Sequence, residues 1–213
     1  AHEAGHSIHT SYSNENQPYT TSNYTIFVAE VASTFNEQLL LDHLLNTIDD
    51  PNEKIVLLQQ AIDGLIGTFY RQSLFANFEY EAHKLVEEHK VVDSDSLSKI
   101  MVDLYNDYYG IDLNCEPYKD KVWAYIPHLF HTPFYVYQYA TSFASSLAIY
   151  SKVKNKEENA FENYLKLLKA GGSTYPVDII KGAGVDLTNK ESFMAVVDRI
   201  SDLVNQLEKV LEE

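Results

Sequence analysis

Apolar residues recur three and four positions apart along most of this chain, in stretches that contain few glycines and prolines. That spacing places apolar side chains on one face of an α-helix. The pattern predicts helices over residues 1–12, 24–48, 53–90, 94–108, 134–153, 156–169 and 190–211, with a short helix that starts at Tyr175 and Pro176. The expected fold class is therefore all-α.

Proline, glycine and short polar residues mark the expected helix boundaries. Residues 13–18 and 110–118 are expected to form loops, residues 127–133 a short irregular piece, and residues 170–173 a glycine-rich helix stop. Pro51 is well placed to open a helix, and Ser94 or Asp95 is expected to cap another. Gly64 and Gly67 are the weak points of the long helix over residues 53–90, because glycine disfavours helix interiors.

Composition narrows the class of protein further. The 213 residues, 45% of them hydrophobic, suffice for one sizeable core or two small ones, and no strong composition shift marks a domain boundary. The formal charge of -15 disfavours binding to nucleic acid or to an anionic membrane surface. A single cysteine, Cys115, excludes an intrachain disulfide. No apolar stretch has the length of a membrane span and no secretory signal is present, so we expect a cytoplasmic location.

The first six residues carry the clearest chemical motif. His2, Glu3 and His6 fit the pattern H-E-x-x-H, in which two histidines four residues apart on a helix can bind one Zn²⁺. The intervening glutamate is placed to accept a proton from a water bound to the metal. A chain that begins at the edge of such a motif suggests a fragment of a longer polypeptide.

A catalytic zinc site needs a third protein ligand and one open position. The downstream Gly and His of the longer zincin motif are absent, since His9 and Tyr12 occupy those places. The candidate carboxylates are therefore Glu15, Glu30 and Glu37. Glu30 lies in an apolar segment, where an unpaired carboxylate is costly, and Glu37 could instead accept a hydrogen bond from a ligand imidazole. His9 is expected to be a partly exposed residue that does not bind the metal.

A second region is dense in groups that can donate hydrogen bonds to a developing oxyanion. Residues 127–139 contain His128, His131 and three tyrosines, of which Tyr135 and Tyr139 share a helix face while Tyr137 points elsewhere. A tyrosine-rich lining of the core explains this region equally well from the residues alone.

Several segments of the chain resemble oligoendopeptidase F, a family of zinc metallopeptidases related to thimet oligopeptidase. They read AHEAGHSIHTSYS, QPYTTSNYTIFVAEVASTFNE, IPHLFHTPFYVYQYATSF and LKAGGSTYPVDIIKGAGVDL. The resemblance extends over essentially the whole chain. It implies that residues 1–213 are the carboxy-terminal part of a larger helical catalytic domain of the zincin type, which bears a substrate channel.

The resemblance also implies roles for individual residues. His2, His6 and Glu30 would bind Zn²⁺, and Glu3 would act as general base when a metal-bound water attacks the peptide bond of a short oligopeptide. His128 and the clustered tyrosines, Tyr135 and Tyr139 in particular, would bind substrate and stabilise the transition state.

Two other functions fit part of this pattern. A carboxypeptidase-like zincin would need a basic residue to bind the free carboxylate of its substrate, and neither arginine of the chain, Arg71 or Arg199, sits in a motif. The chain could also be a metal-binding helical module that is inactive without its missing amino-terminal portion, which would then be its partner.

Overall fold

The computed structural model describes residues 1–110 and 118–212, and every regular element in these two ranges is a helix. The α-helices are α1 (His2–Asn16), α2 (Ile26–Thr47), α3 (Pro51–Leu65), α4 (Arg71–Glu87), α5 (Ser94–Tyr109), α6 (His128–His131), α7 (Tyr137–Lys154), α8 (Ala160–Ala170), α9 (Pro176–Gly182) and α10 (Glu191–Glu212). Cys115 and most of the loop predicted over residues 110–118 lie outside the described ranges. The expectation of an all-α fold is confirmed.

The helices are grouped into two compact units. Unit 1 consists of residues 1–66 and 141–213, and unit 2 consists of residues 67–140. In unit 1, α1 packs against α2 and α8, and α10 packs against α3. In unit 2, α5 packs against α4 and against a 3₁₀ helix, Lys119–Tyr125. No helix in the described part of the chain is long and apolar enough to cross a membrane.

The helix α1 is longer than the sequence pattern predicted, and the loop expected over residues 13–18 is wrong over its first four residues. The helix continues to Asn16, and Gln17 then takes an extended conformation with φ -117° and ψ 145°. Gln17 precedes Pro18, and a residue before proline is driven out of the helical region by the proline ring. The proline therefore ends the helix, while the polar residues before it remain helical.

The long helix predicted over residues 53–90 is divided where the two glycines had marked it as weak. A π-helical segment, Ile66–Tyr70, joins α3 to α4 and contains Gly67. Pro51 opens α3 as predicted, and a side-chain oxygen of Asp50 accepts the backbone N–H of Asn52 at 2.8 Å. Such π segments arise where an extra residue is accommodated within a helix.

Two local predictions in unit 2 need correction. The N-cap of α5 is Asp93, whose carboxylate accepts the backbone N–H of Ser96 at 2.9 Å in a capping box, and not Ser94 or Asp95. The region expected to be irregular over residues 127–133 contains the short helix α6. Its one turn is too short to produce a periodic apolar pattern.

A network of charged and polar groups ties three helices of unit 1 together. Arg199 of α10 is 7% exposed and donates to Asp42 of α2 at 2.6 Å and to Gln38 at 3.1 Å. Tyr150 of α7 donates to the other oxygen of Asp42, and Lys154 pairs with that same oxygen. Burial alone would raise the pKa of Asp42, but the hydrogen bonds from Lys154, Tyr150 and Arg199 lower it.

Candidate metal centre

The first two turns of α1 present two imidazoles on one helix face. His2 and His6 are four residues apart, so one side chain lies above the other. Their Nε2 atoms are 3.2 Å apart, and the rings meet edge to face with centroids separated by 4.8 Å. Two ring nitrogens this close can bind a single ion.

The carboxylate of Glu30, on α2, completes a group of three potential ligands. Its Oε2 atom is 3.5 Å from Nε2 of His2 and 3.7 Å from Nε2 of His6. In a tetrahedral zinc site with bonds of about 2.05 Å, ligand atoms are separated by about 3.3 Å. Among the described residues, these three form the group of His, Cys, Asp and Glu side chains whose ligand atoms lie within 4.8 Å of one another. The donor set therefore fits zinc in chemistry and in spacing.

Polar neighbours orient two of these side chains. Nδ1 of His2 lies 2.9 Å from Oε1 of Glu37, so a proton on Nδ1 leaves the Nε2 lone pair directed towards Glu30. The hydroxyl of Ser33 donates to Oε2 of Glu30 at 2.9 Å. Ser33 was not predicted from the sequence, although its position one helical turn after a candidate ligand is a usable signal.

The remaining acidic candidates are placed differently. Glu3 is exposed in the first turn of α1, next to His2 in sequence. Glu15 is nine residues beyond His6 on the same helix, about 13 Å along its axis, and its carboxylate accepts the hydroxyl of Ser11 at 3.2 Å. This distance removes Glu15 as an alternative third ligand.

His9 is more buried than the sequence predicted, with 1% of its surface exposed. Its ring stacks on Tyr24, with centroids 3.7 Å apart and planes 9° apart. Burial, with a smaller contribution from the charge of His6, lowers the pKa of His9 to about 4. His9 is consequently neutral at neutral pH and lies outside the ligand group of His2, His6 and Glu30.

Close contact between two helix backbones holds the ligands together. A Cβ atom at Gly5 would lie 2.5 Å from Cα of Ser33 and 2.6 Å from the carbonyl oxygen of Ala32, so only glycine fits where α1 meets α2. Gly5 lies between the two histidines, and Ala32 and Ser33 lie within the helical turn that begins at Glu30. The contact therefore sets the distance between the imidazoles and the carboxylate.

Replacing Gly5 by alanine is expected to push α1 away from α2 and to weaken both the fold and the metal site. Forcing an extra methyl group against backbone atoms costs about 1–3 kcal/mol in the free energy of unfolding. Displaced ligands should lower zinc affinity by about tenfold or more. Urea unfolding and a competitive zinc titration measure the two effects.

Gly64→Ala is the matched control, because a Cβ atom at Gly64 meets nothing within 4 Å. We expect that control to gain up to about 1 kcal/mol in stability, since alanine favours a helix interior over glycine. If Gly5→Ala instead binds zinc and resists urea as the unchanged chain does, the backbone contact does not control the site.

In unit 2, one imidazole and two phenol rings form a ring cluster, which we define as His128, Tyr135 and Tyr139. His128 stacks on Tyr135 with centroids 5.2 Å and planes 9° apart. Tyr139 meets both rings edge on, at 6.2 Å from His128 and 5.4 Å from Tyr135. Tyr137, by contrast, is 41% exposed. The ring cluster therefore joins the predicted histidine to the two predicted tyrosines. The expectation that Tyr135 and Tyr139 share a helix face is wrong, because α7 begins at Tyr137 and Tyr135 precedes it.

The two arginines differ in their surroundings. Arg71 is exposed at the start of α4. The buried guanidinium of Arg199 is engaged by Asp42, Gln38 and Asp202. Binding a substrate carboxylate through Arg199 would require breaking this network, which argues against the carboxypeptidase-like alternative for that residue.

Comparison with known proteins gives one consistent family. The model of peptidase family M3 matches residues 1–198. The chain is 41% identical over 212 residues to an oligoendopeptidase F homolog of Borreliella burgdorferi, covering all of this chain and 36% of that relative. It is 38% identical over 210 residues to the oligopeptidase PepF of Bacillus subtilis, covering 99% of this chain and 31% of that relative.

Solved structures show the same fold. Oligoendopeptidase-F from Enterococcus faecium superposes with a TM-score of 0.83 at 37% identity, over 99% of this chain and 38% of that protein. A Chlamydophila abortus protein superposes with a TM-score of 0.92 at 38% identity, over 98% of this chain and 35% of that protein. The chain thus spans about a third of the length of the curated relatives that it matches.

Proposed function

Because this chain belongs to peptidase family M3, we propose that it carries the zinc centre of an endopeptidase that hydrolyses short oligopeptides. The observation that carries the proposal is the approach of three ligand atoms, from His2, His6 and Glu30, to within 4.8 Å of one another. Two imidazoles and one carboxylate are a donor set typical of catalytic zinc, and three protein ligands leave a fourth position open.

The residues of the chain divide the chemistry among them. Zinc held by His2, His6 and Glu30 would polarise the substrate carbonyl and lower the pKa of a water molecule. Glu3 accepts the proton of the attacking water and passes it to the leaving amine. Glu37 accepts a hydrogen bond from the Nδ1–H of His2, so that Nε2 keeps its lone pair for the ion.

We assign substrate binding to the ring cluster. The N–H of His128 and the hydroxyls of Tyr135 and Tyr139 are donors that can stabilise negative charge on a substrate oxygen. The close packing of the three rings supports this assignment, since donors held in fixed orientation need little rearrangement during reaction.

This chain covers only about a third of the length of its relatives, and this favours a second candidate function. About two thirds of those proteins has no counterpart here, so the chain could bind zinc and lack turnover until an amino-terminal portion is supplied. The cytoplasmic location and the absence of nucleic-acid and membrane partners remain predictions from the sequence.

Metal analysis combined with an internally quenched oligopeptide separates these functions. We expect one zinc ion per chain, hydrolysis of the peptide, loss of hydrolysis in a chelator and recovery on adding zinc. Stoichiometric zinc without hydrolysis supports the metal-binding module, and adding an amino-terminal fragment should then restore activity. A chain that folds but binds no zinc overturns both proposals.

A further inference from the structure

Unit 2 buries a carboxyl group for which the proposed chemistry has no use. Glu79 of α4 is 4% exposed. Among the described residues of unit 2, it is the one buried Asp, Glu, Lys or Arg. Its helix neighbours Leu74, Phe75 and Phe78 belong to an apolar core. A carboxyl group in such surroundings is unfavourable unless it is hydrogen-bonded, so its bonding partner indicates what it does.

The partner of Glu79 is a backbone amide in the turn between α6 and α7. The N–H of Phe134 donates to Oε1 of Glu79, with 2.6 Å between the two atoms. Phe134 has φ 57°, in the left-handed region that residues with a Cβ atom adopt at a cost. A residue in that conformation needs specific contacts to hold it there.

A second side chain of α4 contacts the same residue. His83 follows Glu79 by four residues, and its ring lies 4.6 Å from the ring of Phe134, measured between centroids. One helix face thus holds Phe134 at its backbone amide and at its side chain. Two contacts on one residue of a short turn restrict its rotation more than either would alone.

The contact between Glu79 and Phe134 matters because Phe134 lies next to a residue of the ring cluster. Phe134 directly precedes Tyr135, whose ring stacks on His128, the first residue of α6. Val136 follows and is 1% exposed, so the chain is fixed again just after Tyr135. A change in φ at residue 134 would therefore have to be absorbed at Tyr135, between two fixed points.

We propose that Glu79 is a positioning residue, which holds Phe134 in its left-handed conformation and thereby keeps the ring of Tyr135 stacked on His128. Its significance for catalysis rests on the proposed role of the ring cluster in substrate binding. The placement of the rings and the catalytic effect can be measured separately, so a failure of one does not obscure the other.

The test compares three variants in the protein at its natural length. Glu79→Gln keeps a side-chain oxygen that accepts the N–H of Phe134, whereas Glu79→Met fills similar volume without an acceptor. The double variant Glu79→Met with Phe134→Gly places glycine where φ is positive, so the turn no longer needs the carboxyl group. Leu74→Ala, in the same buried face of α4, is the control for a loss of core stability alone.

Proton NMR of the His128 ring reports the placement directly. Stacking on Tyr135 shifts the His128 ring protons upfield, and comparison with His128→Gln identifies their signal. We expect that shift in Glu79→Gln and Leu74→Ala, its loss in Glu79→Met, and its return in the double variant. If Glu79→Met folds and its His128 is still stacked on Tyr135, the inference is overturned. If Glu79→Met does not fold, the inference is overturned by a folded Glu79→Gln in which His128 is not stacked.

Peptide hydrolysis at measured zinc content gives the catalytic consequence. Misplacing a substrate-contacting group by about 1 Å can cost on the order of a hundredfold, so we expect kcat to fall by about ten- to a hundredfold in Glu79→Met with zinc still bound. Glu79→Gln should recover most of this loss and Leu74→Ala should show none of it. A displaced ring with unchanged hydrolysis counts against the proposed role of the ring cluster, while the positioning inference stands.

Discussion

Replacing Glu3 by glutamine is expected to lower peptide hydrolysis by about a thousandfold while zinc stays bound, because general acid–base catalysis contributes typically 10²–10⁴-fold. The amide has nearly the shape of the carboxylate but cannot accept a proton. Glu3 is exposed and lies outside the group of potential ligands, so its replacement should disturb neither the fold nor the metal site. Steady-state kinetics on a quenched peptide, with zinc content measured on the same sample, tests the expectation.

Glu15→Gln is the matched control, since Glu15 is an exposed glutamate on the same helix and more than two turns away from the histidines. It removes the same charge from α1 and should leave kcat unchanged. Hydrolysis by Glu3→Gln at a rate close to that of the unchanged chain would require another base and would remove Glu3 from the proposed mechanism.

Replacing Glu30 by alanine is expected to weaken zinc binding by more than about a hundredfold and to abolish hydrolysis with it. Losing an outer hydrogen-bond partner of a metal ligand typically costs 10–100-fold in affinity, and losing a ligand should cost more. The remaining pair, His2 and His6, would hold the ion through two nitrogens only. Competition against a chromophoric chelator measures the dissociation constant.

Two further variants of α2 make this measurement specific. Asn46→Ala changes an exposed residue of α2 whose side chain donates to the carbonyl oxygen of Asp42, one turn earlier, and it should leave zinc affinity unchanged. Ser33→Ala removes a hydrogen bond to Glu30 and should show a smaller loss than Glu30→Ala. Unaltered zinc affinity in Glu30→Ala would mean that the carboxylate is not a ligand.

The helices were predictable because their signals are local. Apolar spacing predicted α2 within two residues at its start and one at its end, and Pro51 predicted the start of α3. The errors arose where a local signal was weak or was misread. Polar residues suggested a loop before Pro18 although the helix continues to Asn16, and the single turn of α6 was too short to show a period.

The candidate site was predictable in part for the same reason. Two histidines four residues apart lie on one helix face wherever that helix packs, so the sequence by itself determined the pair His2 and His6. The resemblance to a known family selected Glu30, because the residues alone left Glu15 and Glu37 open as well. The role of Gly5 could not be predicted from the sequence, since a glycine between two candidate ligands affects the site only when another backbone packs against it.

Only the tertiary structure decided which distant groups meet. The sequence by itself determined the helical class, the acidic charge and one pair of candidate ligands, all of which follow from composition or from spacing within one helix. Packing of α1 on α2 brought Glu30 to 3.5 Å from His2, and packing within unit 2 placed Glu79 against Phe134. The reason is physical: helix periodicity fixes distances over a few residues, whereas groups 28 or 55 residues apart are brought together only by burial of the surfaces between them.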